Sequence, residues 1–244
     1  MALPKIDVPI FELKLPSTGK KIRFRPFTVK EEKLFLMATE DVDSKSAFNT
    51  VIQVLNNCIL DEIDVEMLPM FDIEFLFLNL RARSIGEVVD LSYKCNNEIT
   101  EESGESHKCN NVVGMKINLL EITPSVDENH SNKIELTDKL GIVMKYPNMK
   151  FLSNENKGDE FDMIIELIVD CIDYIYDEDN LYYAKDSSRE ELMEFLDSLQ
   201  SKELEKVKVF FDTLPKVKKD LEFKCNKCGY NENITLEGIQ SFFV

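Results

Sequence analysis

The chain has 244 residues, of which 43% are hydrophobic, and a formal net charge of -17 from 46 acidic and 29 basic residues. The apolar fraction is near the globular average and supports a packed core, which argues against wholesale disorder. Such a negative surface repels phosphate backbones and anionic membrane surfaces, so we expect no nucleic-acid partner. The N-terminus lacks the pattern of a signal peptide, and acidic side chains interrupt the most apolar stretch, 161–176, so we expect no direct membrane insertion.

The N-terminal segment has the pattern of a β-hairpin followed by a helix. Alternating side chains predict strands over 9–15 and 21–27, so that residues 7–27 form the hairpin around a Pro-Ser-Thr-Gly turn. Thr28 and Glu31 then have the spacing of a capping box. The sequence therefore predicts a helix that begins directly after the hairpin.

The middle of the chain alternates between helical and strand patterns. Helices are expected over 46–60 and 72–83, and the second is apolar on nearly all sides, which predicts a central place in the core. Strands over 87–93 and 112–119 then enclose a polar loop, 96–108. After a further loop, 124–132, a second hairpin pairs 134–136 with 142–146.

The pattern becomes helical again after Asp159. Apolar residues at spacings of three and four continue to Ile175, and an acidic turn, 177–179, follows. Ser188 and Glu191 mark the start of another helix, and a last helix ends before Pro215. Because no low-complexity linker separates these parts, we expect an α+β fold with one body over residues 1–244.

Four of the six cysteines form two related motifs. Cys225 and Cys228 make a C-x-x-C before Gly229, between two expected strands, which is the shape of a zinc knuckle. The run D-L-x-aromatic-K-C-N occurs twice, at 90–96 and at 220–226. Each run leads into a loop that closes on a second cysteine, Cys109 in the first case and Cys228 in the second.

The repeat predicts a four-cysteine, zinc-ribbon-like module in which Cys95, Cys109, Cys225 and Cys228 hold one structural zinc ion per chain. We call residues 87–119 and 216–237 together the cysteine module. A polar segment, 97–106, has the character of an insertion in its first knuckle. A site with four protein ligands has no open position for water, so it stabilises a fold and performs no chemistry.

Lysine precedes each of these four cysteines and neither of the other two. Four thiolates around a divalent cation carry a net double negative charge, which the ammonium groups of Lys94, Lys108, Lys224 and Lys227 would offset. Cys58 and Cys171 lie in apolar helical stretches instead, and we interpret them as small buried hydrophobic residues.

Three alternatives to the four-thiolate site remain at this point. The two motifs could be unrelated turns with spare thiols, or Cys225 and Cys228 could form a redox C-x-x-C. His107 could replace Cys109 as a ligand because it lies two residues away. His130 is expected to be a solvated loop residue.

The sequence contains no convincing catalytic constellation. It has two histidines, both in expected loops, and neither a G-x-G-x-x-G nor a phosphate-binding Walker loop. The cluster of aspartates at 170, 173, 177 and 179 is interpreted as the solvated face of a helix and the turn after it, because the glycine and final glutamate of a calcium loop are missing. We therefore expect no enzyme activity.

The C-terminal part of the chain resembles a known family. The segments carrying the resemblance are F-L-D-S-L from Phe195, F-F-D-T-L-P-K from Phe210, L-E-F-K-C-N-K-C-G-Y from Leu221 and I-T-L-E-G-I-Q-S-F-F from Ile234. Together with the N-terminal hairpin and the L-R-A-R-S-I-G segment from Leu80, they resemble the baseplate hub proteins of T-even-type contractile-tailed bacteriophages.

The resemblance implies a non-catalytic protein of the virion tail baseplate, or a factor that assists hub assembly in the host cytoplasm. Its partners would be other baseplate and hub proteins, and copies of itself in a symmetric assembly are a further option. The apolar tail, 239–244, either folds back onto its own core or inserts into a neighbouring subunit. A cytosolic zinc-ribbon adaptor and a C-x-x-C thiol oxidoreductase are the competing hypotheses.

Overall fold

The computed structural model describes residues 6–40, 44–101, 104–149, 160–238 and 241. The helices of this part are α1 (Val29–Glu40), α2 (Ser44–Cys58), α3 (Met70–Ser84), α4 (Glu160–Cys171), α5 (Arg189–Asp197) and α6 (Ser201–Asp212). The strands are β1 (Phe11–Lys14), β2 (Lys21–Phe24), β3 (Val88–Lys94), β4 (Glu98–Thr100), β5 (Ser106–Lys108), β6 (Val112–Asn118), β7 (Pro124–Ser125), β8 (Lys133–Glu135), β9 (Gly141–Met144), β10 (Ile172–Tyr176), β11 (Leu181–Tyr183), β12 (Lys216–Lys224) and β13 (Asn231–Glu237). Every strand pairing is antiparallel, so the predicted α+β class is confirmed.

The chain divides into two compact units. Unit 1 comprises Met1–Val65, Phe71–Ser125 and Lys216–Val244, and unit 2 comprises Glu66–Met70 and Val126–Pro215. Both halves of the cysteine module belong to unit 1. The expectation of one body over residues 1–244 stays a prediction, and the apolar tail lies outside the described residues except for Ser241.

Unit 1 begins with the predicted hairpin. β1 pairs with β2 from Phe11↔Phe24 to Lys14↔Lys21, and Gly19 in the connecting turn has a φ of 69° that favours glycine. The turn is attached to α3, because the carboxylate of Asp72 accepts hydrogen bonds from both the backbone N–H and the hydroxyl of Ser17. Burial raises the pKa of this fully buried Asp72, against the lowering effect of the Ser17 bonds.

The first helix starts where the capping signal placed it. Glu31 Oε2 accepts a hydrogen bond from the backbone N–H of Thr28 at 2.8 Å, and Arg25 donates to the other carboxylate oxygen at 3.0 Å. Burial tends to raise the pKa of Glu31, but the Arg25 and Thr28 hydrogen bonds outweigh it and lower the pKa to about 2. The carboxylate is therefore charged when buried and connects the helix start to the end of the hairpin.

α3 has the central position that its apolar pattern predicted. Eight of its residues are buried, and Ile73 and Leu78 are fully enclosed. A helix with such a small polar face is stabilised by packing on several sides rather than by one amphipathic stripe.

Unit 2 packs three helices, α4, α5 and α6, with a four-stranded sheet in the order β11-β10-β9-β8. The predicted pairing of β8 with β9 is confirmed, as is the capping box of Ser188 and Glu191 at the start of α5. The predicted helix through Ile175 is wrong at its end, because Ile172–Tyr176 forms β10 between β9 and β11. Tertiary pairing decides here, since the β-branched and aromatic residues of this segment fit a strand equally well.

The environment of His130 also differs from the expected solvated loop. Its ring stacks against Tyr146 and Phe210 with centroids 5.6 and 5.3 Å away. Nδ1 lies 2.9 Å from the Thr213 hydroxyl and Nε2 lies 3.2 Å from the Tyr146 hydroxyl. Partial burial lowers the pKa of His130, although Asp127 opposes this effect. The residue is part of the packing of unit 2.

Among the described residues, no helix combines the length and the apolar character needed to cross a membrane.

Candidate metal centre

The structure brings four cysteine sulfurs together from positions far apart in the chain. Cys95 follows β3, Cys109 follows β5, and Cys225 and Cys228 lie in the turn after β12. All four Sγ atoms lie within 4.8 Å of one another. Within this group, Cys95 Sγ is 3.7 Å from Cys228 Sγ, and Cys109 Sγ is 3.7 Å from Cys225 Sγ. Both of these pairs join the first motif to the second.

These separations match a tetrahedral metal site better than a disulfide. A Zn–S bond of about 2.3 Å places the sulfurs of a regular tetrahedron about 3.8 Å apart. The sulfurs of a disulfide are separated by only about 2.05 Å. Four sulfurs at these separations are close enough to bind a metal ion.

The two motifs have the same backbone hydrogen bonds although their loops differ in length. In the first, the Cys95 N–H donates to Asn111 O and the Asn110 N–H donates to Cys95 O. In the second, the Cys225 N–H donates to Tyr230 O and the Gly229 N–H donates to Cys225 O, at equivalent positions.

The backbone conformation after each second cysteine agrees with this equivalence. Asn110 has a φ of 51° and Gly229 a φ of 75°, so both residues adopt the left-handed region. Asparagine and glycine are the residues that adopt it most readily, which explains their presence at these two positions. The two knuckles are therefore structurally equivalent turns.

A small hairpin accounts for the extra length of the first knuckle. β4 pairs with β5 from Glu98↔Lys108 to Thr100↔Ser106. The sequence predicted only a polar loop here, because three-residue strands with exposed side chains give no apolar alternation. The hairpin returns the chain so that Cys109 lies beside Cys95.

Aromatic residues at equivalent positions of the two motifs pack against each other next to the knuckles. Tyr93 and Phe223, which occupy the aromatic position of the repeated motif, contact each other edge to face with ring centroids 4.8 Å apart. Cys95, Cys109, Cys225 and Phe223 are all buried, while Cys228 is half-buried. The resulting core is small, and three of its four fully buried members are cysteines.

Backbone N–H groups create different electrostatic environments for the sulfurs. The N–H groups of Cys228 and Lys227 donate to Cys225 and, although burial opposes them, lower its thiol pKa to about 6. At Cys95, burial dominates and raises the thiol pKa to about 12. At Cys109, the Asn111 N–H lowers the thiol pKa, but burial and the thiols of Cys228 and Cys225 raise it overall. A bound cation would deprotonate all four thiols.

The structure locates the other candidate residues outside this group. His107, the expected alternative to Cys109, is half exposed, and its Nδ1 lies 3.6 Å from a carboxylate oxygen of Glu101. The four lysines that precede the cysteines are exposed at the surface of the module. Cys58 and Cys171 are fully buried, as expected, and burial raises their thiol pKa values to about 11 and about 12.

Two aspartates of the predicted acidic cluster, Asp170 and Asp177, bind neighbouring groups of unit 2. Asp170 pairs with Arg189. Asp177 accepts hydrogen bonds from the N–H groups of Asp179 and Asn180 and from the hydroxyl of Tyr182, and these bonds lower its pKa. The predicted acidic turn at 177–179 is confirmed, but it follows β10 rather than a helix, and Asp173 lies in that strand instead of on a solvated helix face.

Two residues near the sulfurs were missed by the sequence reasoning. The side-chain amides of Asn97 and Asn111 lie 3.7 Å from Cys228 Sγ and 3.5 Å from Cys225 Sγ, respectively. Each asparagine stands two positions after a cysteine of the first knuckle. This spacing is visible in the sequence, but its relevance is clear only when the position of the second knuckle is known.

Comparison with known proteins gives one match. A family model described as T4 bacteriophage base plate protein matches residues 8–244, which is nearly the whole chain. No curated protein and no solved structure matches the chain.

Proposed function

The chain belongs to the family of T4 bacteriophage base plate proteins, and we propose that it acts in the hub of the base plate, braced by one structural zinc ion. Membership in this structural family indicates a non-enzymatic role and implies a location in the virion tail, among other base plate proteins. The hub assignment is supported by the C-terminal motifs from Phe195 onward, which resemble those of hub proteins. The role is either that of a subunit or that of a factor assisting hub assembly in the host cytoplasm.

The observation that carries the metal proposal is the convergence of four sulfurs within 4.8 Å of one another. We propose Cys95, Cys109, Cys225 and Cys228 as the zinc ligands. Thiolate sulfur is the ligand type of structural zinc sites, and four protein ligands leave no position for a catalytic water. Burial of three of the four cysteines further supports a closed site.

Zinc at this position would hold together the two knuckles, around which few buried apolar side chains lie. Apparent binding free energies of about 10–16 kcal/mol in zinc-finger peptides show how much such a site can contribute. The ion would close a long loop of the chain between the knuckle at 95–109 and the knuckle at 225–228. The expected benefit is a rigid surface on which other base plate proteins assemble.

One observation favours a second candidate, a thiol oxidoreductase using Cys225 and Cys228. The thiol pKa of Cys225 is lowered to about 6, which is typical of reactive C-x-x-C thiols. Against this candidate, Cys225 Sγ also lies 3.7 Å from Cys109 Sγ, and Cys228 Sγ lies 3.7 Å from Cys95 Sγ. A dithiol mechanism leaves those two partners without a role. An adaptor outside the base plate is disfavoured by the family membership.

Elemental mass spectrometry of the purified protein tests the metal proposal. We expect one zinc per chain in the wild type and loss of zinc in Cys228→Ser. Cys171→Ala is the matched control, because it removes a buried cysteine that lies in α4 and should keep the metal. A folded, metal-free wild type would exclude the zinc site and favour the dithiol mechanism.

Co-expression with the hub proteins of the same phage tests the assembly role. We expect the chain to co-purify with hub complexes, and electron microscopy of finished particles then distinguishes a retained subunit from a transient factor. The mass of the complex reports whether several copies are present. A chain that binds none of the hub proteins and is absent from tails would contradict the hub assignment.

A further inference from the structure

Two asparagines make hydrogen bonds to the cysteines around the four sulfurs. Asn97 and Asn111 occupy equivalent places, each two residues after a cysteine of the first knuckle. Their backbone N–H groups donate to the sulfurs of those cysteines, Asn97 to Cys95 and Asn111 to Cys109. This local contact is a property of the turn and needs only backbone atoms.

The side chains of the same residues reach the second knuckle. Asn97 Nδ2 lies 3.7 Å from Cys228 Sγ, and Asn111 Nδ2 lies 3.5 Å from Cys225 Sγ, within the range for N–H···S hydrogen bonds. Each asparagine therefore donates to both sulfurs of one close pair, Cys95 with Cys228 or Cys109 with Cys225. An amide nitrogen has two hydrogens, and Asn111 uses the other to bind Asn226 Oδ1 at 2.7 Å.

The backbone carbonyl groups of the same two asparagines also accept hydrogen bonds from cysteines. Asn97 O accepts the N–H of Cys109, and Asn111 O accepts the N–H of Cys95, both at 2.8 Å. Each asparagine thus contacts three of the four cysteines. The second knuckle has Lys227 and Tyr230 at the corresponding positions, so neither of these positions carries an amide side chain.

We propose that Asn97 and Asn111 are positioning residues for the metal site, forming two clamps that hold the second knuckle's thiolates against the first. This inference rests on the proposed zinc site. An N–H group aimed at a thiolate disperses its negative charge and fixes its direction, and loss of such outer contacts typically weakens metal binding about 10–100-fold. The two clamps act on different sulfurs, so their loss has different local consequences.

Asn97 is expected to have the larger influence on chemical reactivity. Its target, Cys228, is the half-buried member of the four, whereas Cys225 is 1% exposed. Cys225 also receives the backbone N–H groups of Lys227 and Cys228. Removing the Asn97 amide therefore leaves the more accessible thiolate with less hydrogen bonding.

The test uses full-length, zinc-loaded protein and the single variants Asn97→Ala and Asn111→Ala. Asn96→Ala is the matched control, because Asn96 is an exposed neighbour of the same residue type. The first readout is the rate of zinc transfer to a chromogenic chelator, where we expect an increase of about ten-fold or more in both variants and little change in the control.

The second readout distinguishes the loss of a specific hydrogen bond to one sulfur from a general destabilisation of the fold. Alkylation of the zinc-loaded protein by N-ethylmaleimide, mapped by peptide mass spectrometry, should increase mainly at Cys228 in Asn97→Ala and mainly at Cys225 in Asn111→Ala. Uniform acceleration at all four cysteines in both variants would overturn the clamp proposal, as would zinc-transfer rates within two-fold of wild type.

Failure of the zinc site itself has a different signature. A wild type that binds no zinc contradicts the proposed function and the clamps together, whereas a zinc-loaded wild type with unchanged asparagine variants contradicts the clamps alone. If a variant loads zinc poorly, cobalt titration of the freshly reduced protein replaces the transfer assay. A lower cobalt affinity than in Asn96→Ala supports the clamps, and an equal affinity contradicts them.

Discussion

The cysteine module and unit 2 are stabilised in different ways. Around the four sulfurs, Phe223 is the one buried residue of the local cluster that is not a cysteine. Among the described residues, the core of unit 2 instead contains thirteen buried side chains from its sheet and helices, with a further layer of partly buried apolar side chains around them. Burial of these side chains stabilises unit 2. Few buried apolar side chains surround the four sulfurs, and the proposed metal ion would supply stabilisation at that end of the module.

The net charge is also divided unequally between the two units. Unit 2 contains 23 acidic and 10 basic residues, which gives -13 of the total of -17, whereas unit 1 contains 23 acidic and 19 basic residues. Four of the lysines of unit 1 directly precede the cysteines. Four lysines therefore stand beside the proposed thiolates that need charge compensation, and most of the excess negative charge is found on unit 2.

Metal removal should have the largest effect and should separate the two regions. On chelation we expect the cysteine module to lose several kcal/mol of stability, because few buried apolar side chains surround the four sulfurs. Hydrogen exchange measures this as loss of amide protection in β3, β6, β12 and β13 with protection retained in β9 and β10. Equal loss of protection in all six strands would show that the two regions do not differ in this way.

A core truncation in unit 2 is the converse experiment. Phe210 is 2% exposed and contacts the rings of His130, Tyr146 and Phe211. We expect Phe210→Ala to destabilise the protein by about 3–5 kcal/mol, as is usual for a buried aromatic side chain, without changing the zinc content. Thermal unfolding and metal analysis of the same samples check both parts. Loss of zinc in this variant would contradict the independence of the two regions.

A smaller change is expected at the start of α5. The Ser188 hydroxyl accepts the N–H of Glu191, and the Glu191 carboxylate accepts the N–H of Ser188. Ser188→Ala removes the first of these bonds and should cost about 1 kcal/mol. Urea denaturation measures the difference, with Ser187→Ala as the neighbouring control. A change below the error of the measurement would indicate that the Glu191 carboxylate is sufficient to cap the helix.

The smallest expected effect is a change of stability with pH that is confined to unit 2. Because the pKa of His130 is lowered in the folded protein, the unfolded chain binds its proton first as pH falls. The stabilising contribution is complete above the ordinary histidine value of about 6.5 and is lost as pH falls through the folded pKa. Protection of β9 amides should decrease in that window in the wild type. The same dependence in His130→Gln would assign it to another group.

Local chemistry determined many of the elements. The first hairpin, the caps at Glu31 and Ser188, the apolar α3 and the two C-terminal helices follow from alternation, capping residues and helical spacing, all of which act within a few residues. Those features were predictable because the physical cause lies in the segment itself. β10 was not, because its residues suit both a helix and a strand, and the neighbours β9 and β11 decide between them.

The candidate site shows the same division. The sequence by itself determined which four cysteines belong together, because the repeated motif and the preceding lysines single them out. Only the tertiary structure decided that Cys95 pairs with Cys228 and Cys109 with Cys225, and that Asn97 and Asn111 connect these pairs. A cysteine is recognised as a possible ligand from its own chemistry and from the residues next to it in the sequence. Which cysteines meet across a gap of more than a hundred residues depends on how the two hairpins pack.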